Sequence, residues 1–480
     1  MREPKLLNLL AQIISESGIL ASATSNDRPD EKVGVLHALY KLASDSAVRN
    51  PEISLDSFGK HLMFLRDQGI PLTISGTRHR DGHIQILTAH KSKGLEFDYI
   101  YLTGATDIRW SGRVRAELIR LPNSIYLRAE SKSDFDKEHD ELNLFFVALT
   151  RARKEVMISF ASTDSQGREM LQACAITDIR QELITEIDPA PFEKDWQKNR
   201  EILFAQPQSE TPNENIKQLI VERLKEKGFS VTALNQYLLC PWTWFYSSLL
   251  KIPEAPSFAL QFGSIVDDAL TKYMEQLRLG TKMSREDLIA YFTSSLDRSM
   301  LQSSDRNTAM EKGIRALTGY YDQWNTSWHP NIINQLRIPD VPFVVSDELI
   351  VSLNGKIDKV ELFNNHVVVI DYKTGSAKSR KDLLGATKTS NGNYFRQLVF
   401  YKLLLDGFNN GQYHATSGII DFVEPDDRGK FHREEFDITK ENTKDLTKTI
   451  KESIKEMTSL AFWDKKCDDK NCRHCALHFG

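Results

Sequence analysis

Apolar residues recur at helical spacing through the first 75 positions, most clearly from Val33 to Ala43 and from Leu55 to Leu65. The rhythm then changes. Short apolar runs at Ile84-Gln85-Ile86-Leu87 and Tyr99-Ile100-Tyr101-Leu102 read as strands. Glu141 to Val156 returns to helical spacing, and Val156 to Phe160 reads as a further strand. Such alternation predicts an α/β layer. Two polar, Pro-rich stretches, at Ile187 to Pro191 and Ala205 to Pro212, predict a linker over 187–229. From Ser230 helices dominate to about Trp324; a β-rich stretch over 342–373 follows. A helix over Asn393 to Leu405, a strand near Gly418 to Val423 and a last helix over Thr439 to Ser459 complete the pattern, with no internal repeat.

Length and charge narrow the reading. A chain of 480 residues has room for two or three domains. Its hydrophobic content of 40% and charged content of 27% are those of ordinary globular protein. The net charge of -4 excludes a nucleic-acid binder held by bulk positive charge, so contact with DNA or RNA must use local basic patches. No stretch has the length and apolarity of a membrane span, and the N-terminus lacks a signal-peptide core, so a cytoplasmic location is expected. Of five cysteines, three crowd the C-terminus, a spacing that suggests metal ligation more than disulfides.

The most informative residues are Asp371-Tyr372-Lys373, directly after the apolar run Val367 to Ile370. Asn364-Asn365 reads as a two-residue hairpin turn, because Asn tolerates the positive φ that such turns need. A hairpin centred there sets Asp358 opposite Asp371 and puts Lys373 on the face of Asp371. A bulge in either strand would break that register. Opposed like charges destabilise a sheet; a hard divalent cation would turn the same pair into a binding site. A cation so held activates water and neutralises phosphate charge, and a lysine beside it stabilises the attacking or leaving oxygen. The arrangement points to metal-dependent cleavage of a phosphodiester.

Two longer motifs lie upstream. Thr88-Ala89-His90-Lys91-Ser92-Lys93-Gly94-Leu95-Glu96-Phe97-Asp98 resembles motif V of the UvrD/RecB group of superfamily 1 helicases, and Val147 to Arg153 resembles their motif VI. The resemblance implies Gly94, Glu96 and the finger Arg151 toward nucleotide, and Thr88 and His90 toward single-stranded DNA. It implies a helical remnant of subdomain 2B over 1–75 and a partial RecA-like second motor domain, 2A-like, over 76–186. No phosphate-binding G-x-x-x-x-G-K-[ST] loop is present in the sequence, so no self-contained ATPase or helicase activity is expected. ATP is expected only with a partner motor domain.

Residues 230–480 resemble the PD-(D/E)xK nuclease domain of RecB and AddB proteins, from Ser230 to Tyr237 and Cys240-Pro241 through Phe262-Gly263 and Gly355 to Asp358 to Asp371 to Gly375 and Gln397 to Tyr401. The resemblance implies a restriction-endonuclease-like α/β fold with helical additions. It implies Asp358 and Asp371 as ligands of Mg2+ or Mn2+ and Lys373 as the catalytic lysine. Gln397 and Tyr401, four apart on a helix, would face the active site. Where the family usually carries histidine, this chain has Asp267. Either Asp267 is a replacement ligand, with Asp268 the second candidate, or it marks weakened activity.

The family often ties one cysteine before the core to a cluster after it through a [4Fe-4S] centre. Cys240 with Cys467, Cys472 and Cys475 fits that plan, with zinc the alternative occupant. The family's tail is C-x2-C-x5-C. Here Cys472 and Cys475 match, and either Cys467 supplies the remaining thiolate or the set is truncated at Gly480. Cys174 is expected to be a buried thiol. Together these resemblances imply a deoxyribonuclease that forms the C-terminal part of a helicase–nuclease for recombination or repair, acting on single-stranded DNA. The alternative is a DNA-binding scaffold protein, weakly active or inactive, that partners a separate motor chain.

Overall fold

A computed structural model of the chain describes residues 6–24, 29–50, 53–72, 84–110, 134–204, 212–252, 254, 257–299, 301, 303–364 and 366–479. They fall into two compact units, one drawn from Met1–Gly76 with Pro207–Gly480 and the other from Thr77–Gln206. Among the described residues no helix is long and apolar enough to cross a membrane.

The smaller unit is built on two parallel strands, β1 (Phe97–Thr103) and β2 (Ala152–Ser159), joined in register from Tyr99–Glu155 to Thr103–Ser159. Ala105, Phe145, Ala173 and Ala175 form its small core. The helix expected over Glu141 to Val156 runs instead over Asp134–Leu149. It stops there because Arg151 folds back onto it, donating from Nε to the Val147 carbonyl at 3.1 Å, and because pairing with β1 captures the residues beyond. The strand expected over Ile84 to Leu87 does not form: Ile84 and Ile86 are each 94% exposed. Alternation makes a strand only where a partner offers a ladder, and among the described residues β1 and β2 pair only with each other.

The stretch expected as a linker carries two helices, Ala190–Phe204 and Pro212–Lys227. Pro191 and Pro212 sit in first turns, where a missing N–H costs nothing and the fixed φ suits a helix. Ile216, Leu219, Ile220 and Leu224 then fall on one buried stripe of the second helix.

In the larger unit the expected N-terminal helices form over Leu6–Glu16, Ile19–Thr24, Pro29–Arg49 and Leu55–Asp67. Their apolar faces join the main core. That core surrounds a mixed sheet of β3 (Phe229–Ser230), β4 (Ile332–Ser346), β5 (Leu349–Leu362), β6 (Val367–Lys373), β7 (Ala415–Phe422) and β8 (Arg433–Asp437). One edge of β5 is paired along its length by β4; β3 and β6 share its other edge. β6 and β7 are parallel, and β8 closes antiparallel on β7. Val367 to Asp371 are all buried, as in a strand covered on both faces. The Asn393–Gly407 helix covers one face. A second core, built from the helices Phe258–Arg278, Arg285–Asp297 and Ser303–Trp324, includes Ile332 and Val423.

Candidate active site

The hairpin register is the one the sequence predicts. β5 and β6 pair Leu362 with Val367, Glu361 with Val368, Val360 with Val369 and Lys359 with Ile370, without a bulge. Phe363 N–H donates to the His366 carbonyl at 3.0 Å and closes the turn, whose Asn365 lies outside the described residues. One step further along the register lie Asp358 and Asp371. There the ladder stops, and Asp358 Oδ2 instead accepts from the Tyr372 N–H at 3.1 Å.

Period-two alternation aims Asp371 and Lys373 at the Asn393–Gly407 helix. Asp371, 1% exposed, accepts from the Tyr401 hydroxyl at 3.1 Å through Oδ1. Its Oδ2 lies 2.5 Å from the Lys373 ammonium and has no other polar partner. Lys373 also donates to Gln397 Oε1 at 3.0 Å, and Gln397 donates to the Tyr401 oxygen at 2.6 Å. The four-residue spacing of Gln397 and Tyr401 thus brings both to the acid–lysine pair. Two glycines let the walls approach. A Cβ on Gly263 would meet Thr374 Oγ1 at 2.9 Å, and one on Gly355 would meet Leu404 Cδ1 at 2.7 Å.

Asp267, on the Phe258–Arg278 helix, joins this set. Both its oxygens accept from Gln335 Nε2, at 3.1 and 3.2 Å, and Lys356 lies 3.6 Å away. Asp268 points elsewhere, accepting from the Ser295 hydroxyl at 3.1 Å. Burial pushes the Asp267 carboxyl up against the pull of Lys356 and Gln335. Burial, then the charges of Asp371 and Asp267, push Asp358 up to about 7. Burial lowers the Lys373 ammonium, but the Asp371 charge and hydrogen bond outweigh it and its pKa is raised. Burial, followed by Asp371, holds the Tyr401 hydroxyl far above its ordinary range. The three carboxylates do not converge as the cysteines do. Among the described residues, only the cysteines bring three or more possible ligand atoms all within 4.8 Å of one another.

Gln335 and Lys356 escaped the sequence reading. Gln335 stands in register opposite Asp358 on β4, but that pair is missing from the ladder because Gln335 takes a φ of 55°. A non-glycine residue there is strained, and such strain gathers at functional positions. Nothing in the sequence around Gln335 announces it.

Cys240, Cys467, Cys472 and Cys475 come together. Cys240 caps the Val231–Leu239 helix; the others border or begin the Arg473–Phe479 helix. Burial raises the Cys472 thiol, but the Cys475 N–H and the neighbouring thiols outweigh it and bring Cys472 down to about 7. Cys174 is exposed, contrary to expectation, because the short Cys174–Thr177 helix turns its neighbours Ala173 and Ala175 inward instead.

In the smaller unit Thr88 caps a single turn, Ala89–Ser92, accepting from the Lys91 N–H, and Gly94 takes a φ of 87°. Phe97 N–H donates to the Arg151 carbonyl at 2.9 Å, so Glu96 and Arg151 flank the start of the β1–β2 pair. Thr88, His90, Gly94 and Glu96 are not buried, and Arg151 is half-buried.

The PD-(D/E)XK nuclease superfamily matches residues 228–479, more than half of the chain. The chain belongs to that superfamily. Ahead of its PD-(D/E)XK domain it carries a UvrD-like helicase C-terminal domain, matched over residues 6–163 and so running across both compact units. A DNA helicase II homolog of Mycoplasma pneumoniae is 25% identical over 26% of this chain and 14% of its own length. One chain of the ATP-dependent helicase/nuclease of Heliobacterium modesticaldum is 26% identical over 33% of this chain and 12% of its own. The match spans less than a quarter of the length of both. A solved protein of Eubacterium rectale, named provisionally as an exonuclease, aligns with 56% of this chain and 93% of its own at 12% identity and a TM-score of 0.33.

Proposed function

We propose that the PD-(D/E)XK domain hydrolyses DNA phosphodiester bonds with Mg2+ or Mn2+ held by Asp358 and Asp371, and with Asp267 as a third carboxylate. The observation that carries this reading is buried Asp371 beside Lys373 on one face of β6, with the half-buried Asp358 and Asp267 close enough to raise one another's charge cost. The donors suit the group: carboxylate oxygens favour hard divalent cations. Asp371 Oδ2, buried with only the Lys373 ammonium beside it, and Asp358, held near half-neutral by burial and its acidic neighbours, are the groups that such a cation would satisfy. The cation, when bound, supplies a lowered pKa for coordinated water and neutralises charge on the scissile phosphate.

The chain's own groups divide the remaining work. Lys373 brings a positive charge to the acid pair, favoured there by Asp371, and, once freed from Asp371, hydrogen-bonds the attacking or developing oxyanion. Gln397 aims the Lys373 ammonium, and Tyr401 fixes Asp371 Oδ1 so that Oδ2 faces the site. Gln335 and Lys356 orient Asp267 and damp its charge.

The UvrD-like domain would make this chain part of a helicase–nuclease for recombination or repair. Thr88 and His90 would then meet single-stranded DNA, and Gly94, Glu96 and Arg151 the nucleotide. A planar, always-charged guanidinium suits phosphate. ATP would enter only with a motor domain that supplies the phosphate-binding loop.

End-labelled and circular single-stranded DNA, incubated with Mg2+ or Mn2+, test the nuclease. Wild type should cleave, EDTA should stop it, and Lys373→Ala should be slower by about 100-fold or more. Wild type no faster than Lys373→Ala would leave the DNA-binding scaffold as the surviving alternative. Resistance of the circle would identify attack from ends.

A further inference from the structure

The four-cysteine cluster is too tight for the four-iron centre that the family resemblance suggests. Sγ of Cys240 lies 3.7 Å from that of Cys472 and 3.6 Å from that of Cys475, and Cys475 lies 3.6 Å from Cys467. All four sulfurs fall within 4.8 Å of one another. In a [4Fe-4S] centre each thiolate binds a different iron, so the body of the cluster stands between the sulfurs. Sulfurs already in mutual contact leave no space for it. One tetrahedral ion asks for a different spacing: Zn–S bonds of about 2.3 Å set the sulfurs ~3.8 Å apart. The observed contacts match that figure and are too long for disulfides, whose sulfurs are bonded at about 2.05 Å.

We infer that Cys240, Cys467, Cys472 and Cys475 form a closed, mononuclear thiolate site for a zinc-class ion, with Cys467 as the fourth ligand, and that this ion clasps the nuclease fold. Four thiolates in a tetrahedron leave no open position for water or substrate, which makes the site structural. What it joins is specific. Cys240 ends the Val231–Leu239 helix, whereas its three partners lie more than 220 residues onward. Closing so long a loop constrains the unfolded chain strongly.

The surroundings are built to the same end. Trp242, fully buried, stacks on His478 with ring centroids 3.4 Å apart and donates from Nε1 to the Lys465 carbonyl at 3.0 Å. His474 is held by the Thr243 hydroxyl at 3.1 Å and by Glu254 at 3.1 Å. The clasped helix reaches the helix that carries Gln397: Asn235 accepts from Arg396 at 2.6 Å, and Arg396 precedes Gln397. Its Tyr237 donates to Glu456 at 2.9 Å, which ties it to the Lys440–Ser459 helix as well.

The test is metal and sulfide analysis of the 480-residue protein, purified anaerobically from cells grown with both zinc and iron. About one zinc per chain, no acid-labile sulfide and no visible iron–thiolate band are expected. A mercurial should release that zinc as four thiols react, while Cys174 reacts separately. Cobalt refilling should give the intense visible bands of a tetrahedral thiolate site. Cys467→Ser should weaken zinc retention at least 100-fold, and Cys174→Ser should leave it unchanged. Zinc removal should speed amide exchange over 231–239 and 467–479 at least tenfold, with the 97–103 and 152–159 amides unaffected. Because the metal count needs no activity, it stands or falls apart from the nuclease reading. If Cys467→Ser fails to fold, the mercurial count on wild type still decides. Iron with sulfide, iron alone, or four freely reactive thiols without metal would each overturn the inference.

Discussion

Charge gathers on both faces of the larger sheet around β6, and the two faces handle it differently. Behind the site, Lys359 and Asp421 are each 1% exposed. Lys359 pairs with Glu361 at 3.1 Å, Arg433 lies 3.5 Å from Asp421, and the Tyr320 hydroxyl donates to Asp421 at 2.6 Å. Two cations meet two anions there, and Tyr372 packs against them. On the other face Asp267, Asp358 and Asp371 meet Lys356 and Lys373, so the negative charge is in excess. Burial raises Asp358 most, and the charges of Asp371 and Asp267 push it the same way. The fold neutralises buried charge on one face and not on the other, an imbalance that the proposed cation would offset.

The largest effect should come from Asp371. Asp371→Asn keeps the shape and removes the charge. It should lower DNA cleavage at least a thousandfold, about 4 kcal/mol of transition-state stabilisation, in a steady-state assay with Mg2+. Retained cleavage would make the two faces equivalent.

Next comes the balanced face. Asp421→Ala strands Arg433 and Tyr320 and should destabilise the nuclease unit by about 3 kcal/mol in urea unfolding. A loss under ~1 kcal/mol would show that the network is not holding the sheet.

Asp358→Asn should do the reverse and stabilise the metal-free protein by roughly 1–2 kcal/mol at pH 8. The sign follows from linkage. An acid whose folded pKa is raised, here from 3.8 to about 7, keeps its proton in the fold after the unfolded chain has lost it. Wild-type stability therefore falls as pH rises from about 4 to 7, and the penalty is complete above that range. The gain of the variant should vanish near pH 4, and thermal melts at both pH values would read it.

The smallest change is expected from Gln335→Ala. It frees Asp267 and removes the larger side chain from a strained φ, so cleavage should fall about tenfold with little loss of stability. An unchanged rate would remove Asp267 from the functional set.

What the sequence revealed follows from what is local. A two-residue turn and period-two alternation fix the β5–β6 register, so Asp358, Asp371 and Lys373 could be placed without coordinates, and helical spacing did the same for Gln397 and Tyr401. Gln335 was invisible because its role arises from a backbone twist opposite Asp358, and Lys356 because its partner lies on a distant helix. The helices over 190–227 were missed because proline marks both chain breaks and helix starts. Ile84 and Ile86 misled in the other direction: their alternation is real, but a ladder depends on a partner strand.

The central claim is that the acid excess on the Asp371 face binds a divalent cation. Anomalous scattering from a manganese-soaked crystal tests it most directly. The account predicts a peak bound by both Asp358 and Asp371 in wild type and absent in Asp371→Asn. A wild-type map with no manganese at those carboxylates would contradict it.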